Sequence, residues 1–245
     1  MRILHTSDLH GEWRKLLQAQ DFDLWVDSGD FFPNITRGKS VEPAFQQAWF
    51  TTDRMNLKKR FRARSEFWPT RKAVPPYSGS IAAELKAWLK GRPVLSISGN
   101  HDWVNLADML TAVGYGNAWN LGRGPIETEG VRFAGFREVP FVTGEWQGEL
   151  PFRHMGVAKA ERIVELTMLA DPEILVTHTP PQGILDFSGP KGGHAGMKEL
   201  TNWLTYKPHK VKLHLFGHIH DQPGMKKELG ITFSNAAQGG RIIEV

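Results

Sequence analysis

Along this chain, short apolar runs alternate with stretches in which apolar residues recur every three or four positions. The first pattern predicts strands over 2–6, 22–26, 93–98, 131–136, 173–177, 211–216, 231–234 and 241–245. The second predicts helices over 13–20, 80–90, 104–113, 158–169 and 197–204. Within 80–90, Ile81, Leu85, Trp88 and Leu89 fall on one helical face. Helices and short buried strands cover each other's apolar faces, which predicts an α/β domain of packed layers. Residues 34–79 break this rhythm. A long helix candidate over 41–64 leads into Trp68-Pro69 and Pro75-Pro76. We read the segment as an insertion capping a single domain over 1–245, not as a second domain.

The length of 245 residues, 40% of them apolar and nine of them Trp, suffices for a large core. Cysteine is absent, so disulfides and thiolate metal sites are excluded, and any metal must be held by His, Asp, Glu or Asn. No apolar run approaches the ~20 residues that a membrane span needs. The N-terminus, Met1-Arg2-Ile3-Leu4-His5, enters a strand pattern with no signal-peptide plan. The expectation is a cytoplasmic protein without a membrane partner. The net charge of +4 is uneven: residues 34–80 hold ten Lys and Arg against three acids, +7, which leaves −3 for the remainder.

Residues with ligand chemistry gather where strands are predicted to end. In order, these are Asp8-Leu9-His10, Asp27-Ser28-Gly29-Asp30, Gly99-Asn100-His101-Asp102, Thr177-His178-Thr179-Pro180 and Gly217-His218-Ile219-His220. In layered α/β folds the carboxyl ends of strands form the crevice where ligands bind. The glycines before Asp30, Asn100 and His218 permit tight turns and close backbone approach. Any one motif has an ordinary explanation: an Asp after Gly as a turn residue, Asn100 as a helix cap, His218 and His220 as alternating strand-end residues. Five together, each at a strand end, do not share one. Two carboxylates, four histidines and one amide oxygen can hold two divalent ions if one carboxylate bridges them. Mixed nitrogen and oxygen ligation suits Mn²⁺ first, with Fe, Ni²⁺ and Zn²⁺ as alternatives. Two such ions can share a hydroxide and clamp the oxygens of a phosphoryl group.

The ordered set Asp-x-His, Gly-Asp, Gly-Asn-His-Asp, Thr-His and Gly-His-x-His resembles the signature of calcineurin-like metallophosphoesterases, over residues 3–236 apart from the insertion. The phrases Ile174-Leu175-Val176-Thr177-His178-Thr179-Pro180-Pro181 and Leu213-His214-Leu215-Phe216-Gly217-His218-Ile219-His220 look most like a branch of small phosphodiesterases. That branch includes the class III cyclic-nucleotide phosphodiesterases and the metallophosphoesterase-domain brain proteins. The resemblance implies a four-layer αββα sandwich with two divalent metal ions at one edge. By motif, Asp8, His10, Asp30 and His220 would hold one ion, and Asp30, Asn100, His178 and His218 the other. His101 would then serve as general acid or charge stabiliser at the leaving oxygen, with Asp102 orienting it. Asp27 fits equally a role behind the ligands or one in the turn. The reaction implied is hydrolysis of a nucleotide-like phosphodiester by in-line attack of a metal-bridging hydroxide.

Two further features bear on substrate. The insertion carries Lys58-Lys59-Arg60-Phe61-Arg62-Ala63-Arg64 with Trp49, Phe50, Phe67, Trp68 and Tyr77 nearby. Bases interleaved with aromatics can neutralise phosphates and stack bases, which makes Lys58, Arg60 and Arg62 candidate contacts to an anionic phosphoester or to nucleic acid. The same composition suits a solvated basic helix or an oligomer contact. Gly192-Gly193-His194-Ala195-Gly196 precedes a predicted helix and makes His194 a candidate substrate contact. His5, His154, His209 and His214 lack motif support and read as structural or surface residues, and Trp88 and Trp203 read as core. The alternatives to a diesterase are a nuclease for single strands, a phosphomonoesterase and a non-catalytic scaffold. The intact ligand set disfavours the last.

Overall fold

The computed structural model describes residues 1–19, 21–32, 80–102, 104–140, 154–155, 157–189 and 192–245. The expected insertion over 34–79, including its helix candidate over 41–64, lies outside the described residues. So do Lys58, Arg60 and Arg62.

The described strands are β1 (Arg2–Ser7), β2 (Leu24–Asp27), β3 (Val94–Ser96), β4 (Ala118–Asn120), β5 (Ile126–Thr128), β6 (Val131–Phe136), β7 (Val139–Pro140), β8 (His154–Met155), β9 (Ile174–Thr177), β10 (Phe187–Ser188), β11 (Gly193–His194), β12 (Leu213–Phe216), β13 (Gly224–Glu228), β14 (Ile231–Asn235) and β15 (Gly239–Glu244). The described α-helices are α1 (Ser80–Leu89), α2 (Leu106–Ala112), α3 (Val157–Met168) and α4 (Lys198–Tyr206). One sheet has the order β15-β1-β2-β3-β4 and a second the order β13-β14-β12-β9-β6-β5. β1 to β4 run parallel, as do β14, β12, β9 and β6. The antiparallel pairings fall at the margins, where β15, β13 and β5 join β1, β14 and β6.

Period-2 alternation in the strands makes the layers. On β1, Leu4 packs toward helices while Ile3 packs toward the other sheet. On β2, Trp25 joins the helical side and Leu24 and Val26 the sheet–sheet side. On β9, Leu175 faces helices and Ile174 and Val176 face the first sheet. Three apolar clusters result. One holds Trp25 with Leu85, Leu89, Met109 and Leu110 of α1 and α2. One joins the two sheets through Ile3, Val26, Leu95, Val176 and Leu215. One holds Leu175 with Val164 of α3 and Leu200 and Leu204 of α4. Three interfaces make four layers, an αββα sandwich. Each fully buried Leu contributes about 1.5–3 kcal/mol through removal from water.

The helix boundaries follow from capping. α1 ends at Lys90 (φ 50°) and Gly91 (φ 85°), with the Arg92 N–H donating to the Leu89 carbonyl. α2 begins at Asn105, whose side chain accepts from the N–H of Ala107 and Asp108. The helix predicted over 13–20 is instead a 3-10 helix, Trp13–Gln18, with Trp13 and Leu16 buried. Their spacing of three eclipses them in a 3-10 turn, so both reach the core without a full α-turn. Among the described residues no helix is long and apolar enough to cross a membrane.

Candidate metal centre

The five parallel strands β1, β2, β3, β9 and β12 end on the same edge of the sandwich, and each releases its motif there. Register places Thr6 beside Asp27 and Asp27 beside Ser96 in one sheet, and Leu215 beside Val176 in the other. The loops that follow are tied to one another within each sheet: the His10 N–H donates to the Asp30 carbonyl, and the Gly217 N–H to the His178 carbonyl.

Ligand-type atoms converge in these loops. One atom each from Asp8, His10 and His220 lie within 4.8 Å of one another, and so do atoms of Asp8, Asp30 and His178. The two groups share Asp8. His220 Nε2 lies 3.0 Å from Asp8 Oδ1. His178 Nε2 lies 3.2 Å from Asp30 Oδ2 and 3.0 Å from Asn100 Oδ1. The His218 ring centroid is 5.0 Å from that of His178, and the His218 N–H donates to Asp8 Oδ2 at 2.8 Å. The His10 ring stands 5.5 Å from both His220 and His101. The seven residues expected as ligands therefore surround one locus.

Backbone strain falls on four of the same positions. Asp8, His10, Asp30 and His218 all have positive φ, between 44° and 68°. Each such conformation costs a non-glycine residue on the order of 1 kcal/mol, so the surrounding loops must hold it. Close approach holds two of them. A Cβ on Gly99 would overlap the Asp30 carboxylate, and one on Gly217 would overlap Ser7 Oγ and Asp8 Oδ2.

Electrostatics match a cation site. Asp8 and Asp30 are fully buried carboxylates a short distance apart, an arrangement that burial and mutual repulsion oppose. Burial alone would raise Asp8, yet the His220 hydrogen bond and the His178 charge hold it at about 2. Asp30 is likewise driven down against burial by the charge and hydrogen bond of His178. Burial opposes the charge on His178, but Asp30, then Asp8, raise it to about 10. The buried acidic pair thus favours positive charge at this locus, which a divalent cation would also bring.

The donor set fits divalent cations on two further observations. His178 Nδ1 donates to the Ser28 carbonyl at 2.8 Å, which turns Nε2 toward Asp30 and Asn100. His10 Nδ1 is buried without a hydrogen-bond partner among the described residues. An uncompensated buried imidazole nitrogen is costly unless something coordinates it. Asp8, His10, Asp30, Asn100, His178, His218 and His220 are therefore the residues that would hold the ions.

Other expected residues sort themselves by contact. The His101 N–H donates to Asp30 Oδ1 at 2.8 Å, which fixes its backbone beside the ligands. Asp102 accepts N–H bonds from Asp30 and Gly99 on Oδ2 and from Phe32 on Oδ1, so it ties the loop after β2 to the loop after β3. Burial, followed by the Asp30 charge, raises its carboxyl to about 7. Asp27 accepts from the Thr6 hydroxyl and the Gly29 N–H, which is a turn-holding arrangement. His5 and His214 are buried and structural, and Trp88 belongs to the core, as expected. His194 lies on β11, with Nδ1 2.6 Å from Asp186. Three groups here escaped the sequence reading: the Ser28 carbonyl behind His178, Gln238 against His220 Nδ1 at 3.2 Å, and Asp186. No motif in the sequence marked any of the three.

Residues 1–222 match the calcineurin-like phosphoesterase family, and the chain belongs to it. The human metallophosphoesterase domain-containing protein 1 is 30% identical over 136 residues, which are 56% of this chain and 38% of that protein. A Caenorhabditis elegans protein, UPF0046 protein K07C11.7, is 37% identical over 82 residues, 33% of this chain and 27% of its own length. The matches thus span well under half of the length of these relatives. The solved structure of TT1561 from Thermus thermophilus covers 96% of this chain and 88% of its own, at 16% identity and a TM-score of 0.53. That likeness concerns the fold, which is the four-layer sandwich described above.

Proposed function

We propose that the chain is a two-metal phosphoester hydrolase acting on a nucleotide-like phosphodiester. The observation that carries this reading is the convergence of Asp8, His10, Asp30, His178 and His220 at the parallel strand ends of both sheets. When bound there, divalent cations supply positive charge to the phosphoryl oxygens and make water nucleophilic near neutral pH.

The chain's own residues divide the remaining work. Asp8 and Asp30 would supply the negative charge that holds the cations, Asp8 as the member common to both ligand groups and Asp30 as a member of the second. The Asp30 Oδ2 faces His178 and its Oδ1 accepts the His101 N–H, which fixes the direction of this carboxylate. His101, next to a ligand but not among the ligands, holds a proton for the leaving oxygen. Asp102 keeps the Asp30 and Asn100 loops at fixed separation. Mn²⁺ is the proposed metal, on the mixed nitrogen and oxygen character of the donors.

A second reading, cleavage of single-stranded nucleic acid, draws on the +7 charge of residues 34–80. There Lys58, Arg60 and Arg62 would meet phosphates away from the scissile one.

The test is metal analysis with a substrate panel. Protein reconstituted with Mn²⁺ is expected to hold about two ions per chain. It should hydrolyse a bis-aryl phosphate faster than an aryl monophosphate. Asp30→Asn should lower the stoichiometry and abolish turnover. A stoichiometry of one that Asp30→Asn leaves unchanged overturns the dinuclear reading. Preference for single-stranded oligonucleotides over all small diesters favours the nuclease.

A further inference from the structure

A short hairpin, β10 paired with β11, sits beside the candidate metal centre, and it carries a second constellation. Asp186 is fully buried, yet its side chain meets an imidazole that is half exposed. Asp186 Oδ1 lies 2.6 Å from His194 Nδ1, and Oδ2 accepts the Gly196 N–H at 2.9 Å. With Nδ1 so engaged, the ring is fixed in direction, and Nε2 projects from its other side with no hydrogen bond to a described residue. Directly across the hairpin, Phe187 pairs in register with His194. The two rings stand 6.1 Å apart at 84°, and 43% of Phe187 is exposed. An exposed Phe beside an exposed, anchored His forms a two-walled aromatic corner open to solvent.

The hairpin is fastened to the loop that bears the ligands His218 and His220. The Phe187 N–H donates to Gln222 Oε1 at 2.9 Å, and the Gly189 N–H to Asp221 Oδ2 at 3.0 Å. Asn235 reaches the carbonyls of both Leu185 and Ile219. The hairpin therefore adjoins the ligand loop on the side of the second sheet. His101 borders the centre from the first sheet, through the loop after β3. On the reading proposed next, a diester whose leaving oxygen faces His101 would direct its other ester group toward the hairpin.

We propose that Phe187 and His194, with Asp186 positioning the imidazole, form the subsite for the retained ester group, and that this group is flat and aromatic. A planar ring can stack on one wall and meet the edge of the other, the geometry that aromatic pairs prefer. His194 Nε2 adds one polar contact at the rim. This inference rests on the phosphodiesterase reading above and names the ester group that it accepts.

The experiment compares two diesters that share one leaving group. These are p-nitrophenyl phenyl phosphate, with an aromatic retained group, and ethyl p-nitrophenyl phosphate, with an alkyl one, both with the Mn²⁺-loaded full chain. For Phe187→Ala the ratio of kcat/KM, phenyl over ethyl, is expected to fall roughly three- to tenfold, through KM. His194→Gln should lower the ratio in the same direction. Asp186→Asn should lower it when His194 is present and add little in the His194→Gln background, a non-additivity that general loosening of the hairpin would not produce. Should Asp186→Asn fail to fold, exposed Phe187 still decides the matter. A wild type active on both diesters, whose ratio neither Phe187→Ala nor His194→Gln moves, overturns this inference alone. A wild type that hydrolyses neither diester overturns the phosphodiesterase reading and the inference together.

Discussion

His101, the proposed proton donor, and His214 sit in opposite surroundings. His101 is half-buried among ligands and holds none of the ligand positions itself. His101→Gln is expected to keep about two Mn²⁺ per chain while lowering turnover on a diester with a poor leaving group by ~10²-fold or more. An activated aryl leaving group needs less protonation, so its loss should be much smaller. Equal losses on both esters, or loss of metal, would contradict the proton-donor role. His214 lies within the fold, against Phe216 and Phe233. The Thr177 hydroxyl donates to the Thr179 carbonyl, so it can only accept from His214 Nε2–H, 2.7 Å away. Nδ1 is buried without a partner among the described residues, and burial lowers the imidazole to about 3. In the unfolded chain the same group titrates near 6.5. Its contribution to stability is thus full above about pH 6.5 and is lost progressively as the pH falls toward 3, at about 1.4 kcal/mol per unit. Urea melts of wild type and His214→Gln at pH 7.5 and pH 5.5 should show the variant gaining about 1.4 kcal/mol relative to wild type on acidification. No relative change would mean that burial does not shift the titration of His214. The residues that converge at the strand ends were legible because their motifs are local in sequence. Asp186 was not, because its importance comes from burial and from a partner on another strand.

At the scale of elements, the ligand-bearing strands run into their motifs through positions that tolerate little side-chain volume. Gly217 is the sharpest case, since an added methyl meets the Ser7 hydroxyl and the Asp8 carboxylate at once. Gly217→Ala should therefore displace Asp8, lowering Mn²⁺ affinity by tenfold or more and stability by about 1–3 kcal/mol, the usual cost of overpacking. Gly224→Ala, at the start of β13 where a Cβ meets open space, should leave both close to wild type. If both variants bind Mn²⁺ as wild type does, the strand-end packing argument is wrong. The sequence periodicity revealed the central strands because each is apolar on both faces. β13, Gly-Met-Lys-Lys-Glu, was missed because its side chains are mostly exposed and charged, so only pairing with β14 makes it a strand. β4 and β5 have three residues each, too short for any alternation to register. The helix over 13–20 was drawn too long because two buried residues three apart suit either an α-helix or a 3-10 turn.

For the whole molecule, the uneven charge is the property that neither a single residue nor a single strand explains. Residues 34–80 hold +7 while the remainder holds −3, and in sequence the segment lies between the ligands Asp30 and Asn100. The layered fold was legible because the segments outside residues 34–79 keep a regular α and β rhythm. Residues 34–79, read above as an insertion, break that rhythm, and charge is the clearest property the sequence offers there. A cluster of fixed positive charge raises the local concentration of an anionic substrate and favours its approach. Neutralising Lys58, Lys59, Arg60, Arg62 and Arg64 together is therefore expected to raise KM several-fold for an oligonucleotide or other polyanionic ester. The effect on a small aryl diester should be much weaker, because that substrate presents no second phosphate to the cluster. Raising the salt concentration should reproduce the mutation in the wild type, since exposed charges are screened beyond ~8–10 Å near physiological ionic strength. It should do little to the variant, which has already lost the charges being screened. Steady-state kinetics on both substrates across a salt series decide the matter. Equal KM values for variant and wild type at low salt would leave the cluster as a solvated face. A variant that sediments as a smaller species would instead identify an oligomer contact.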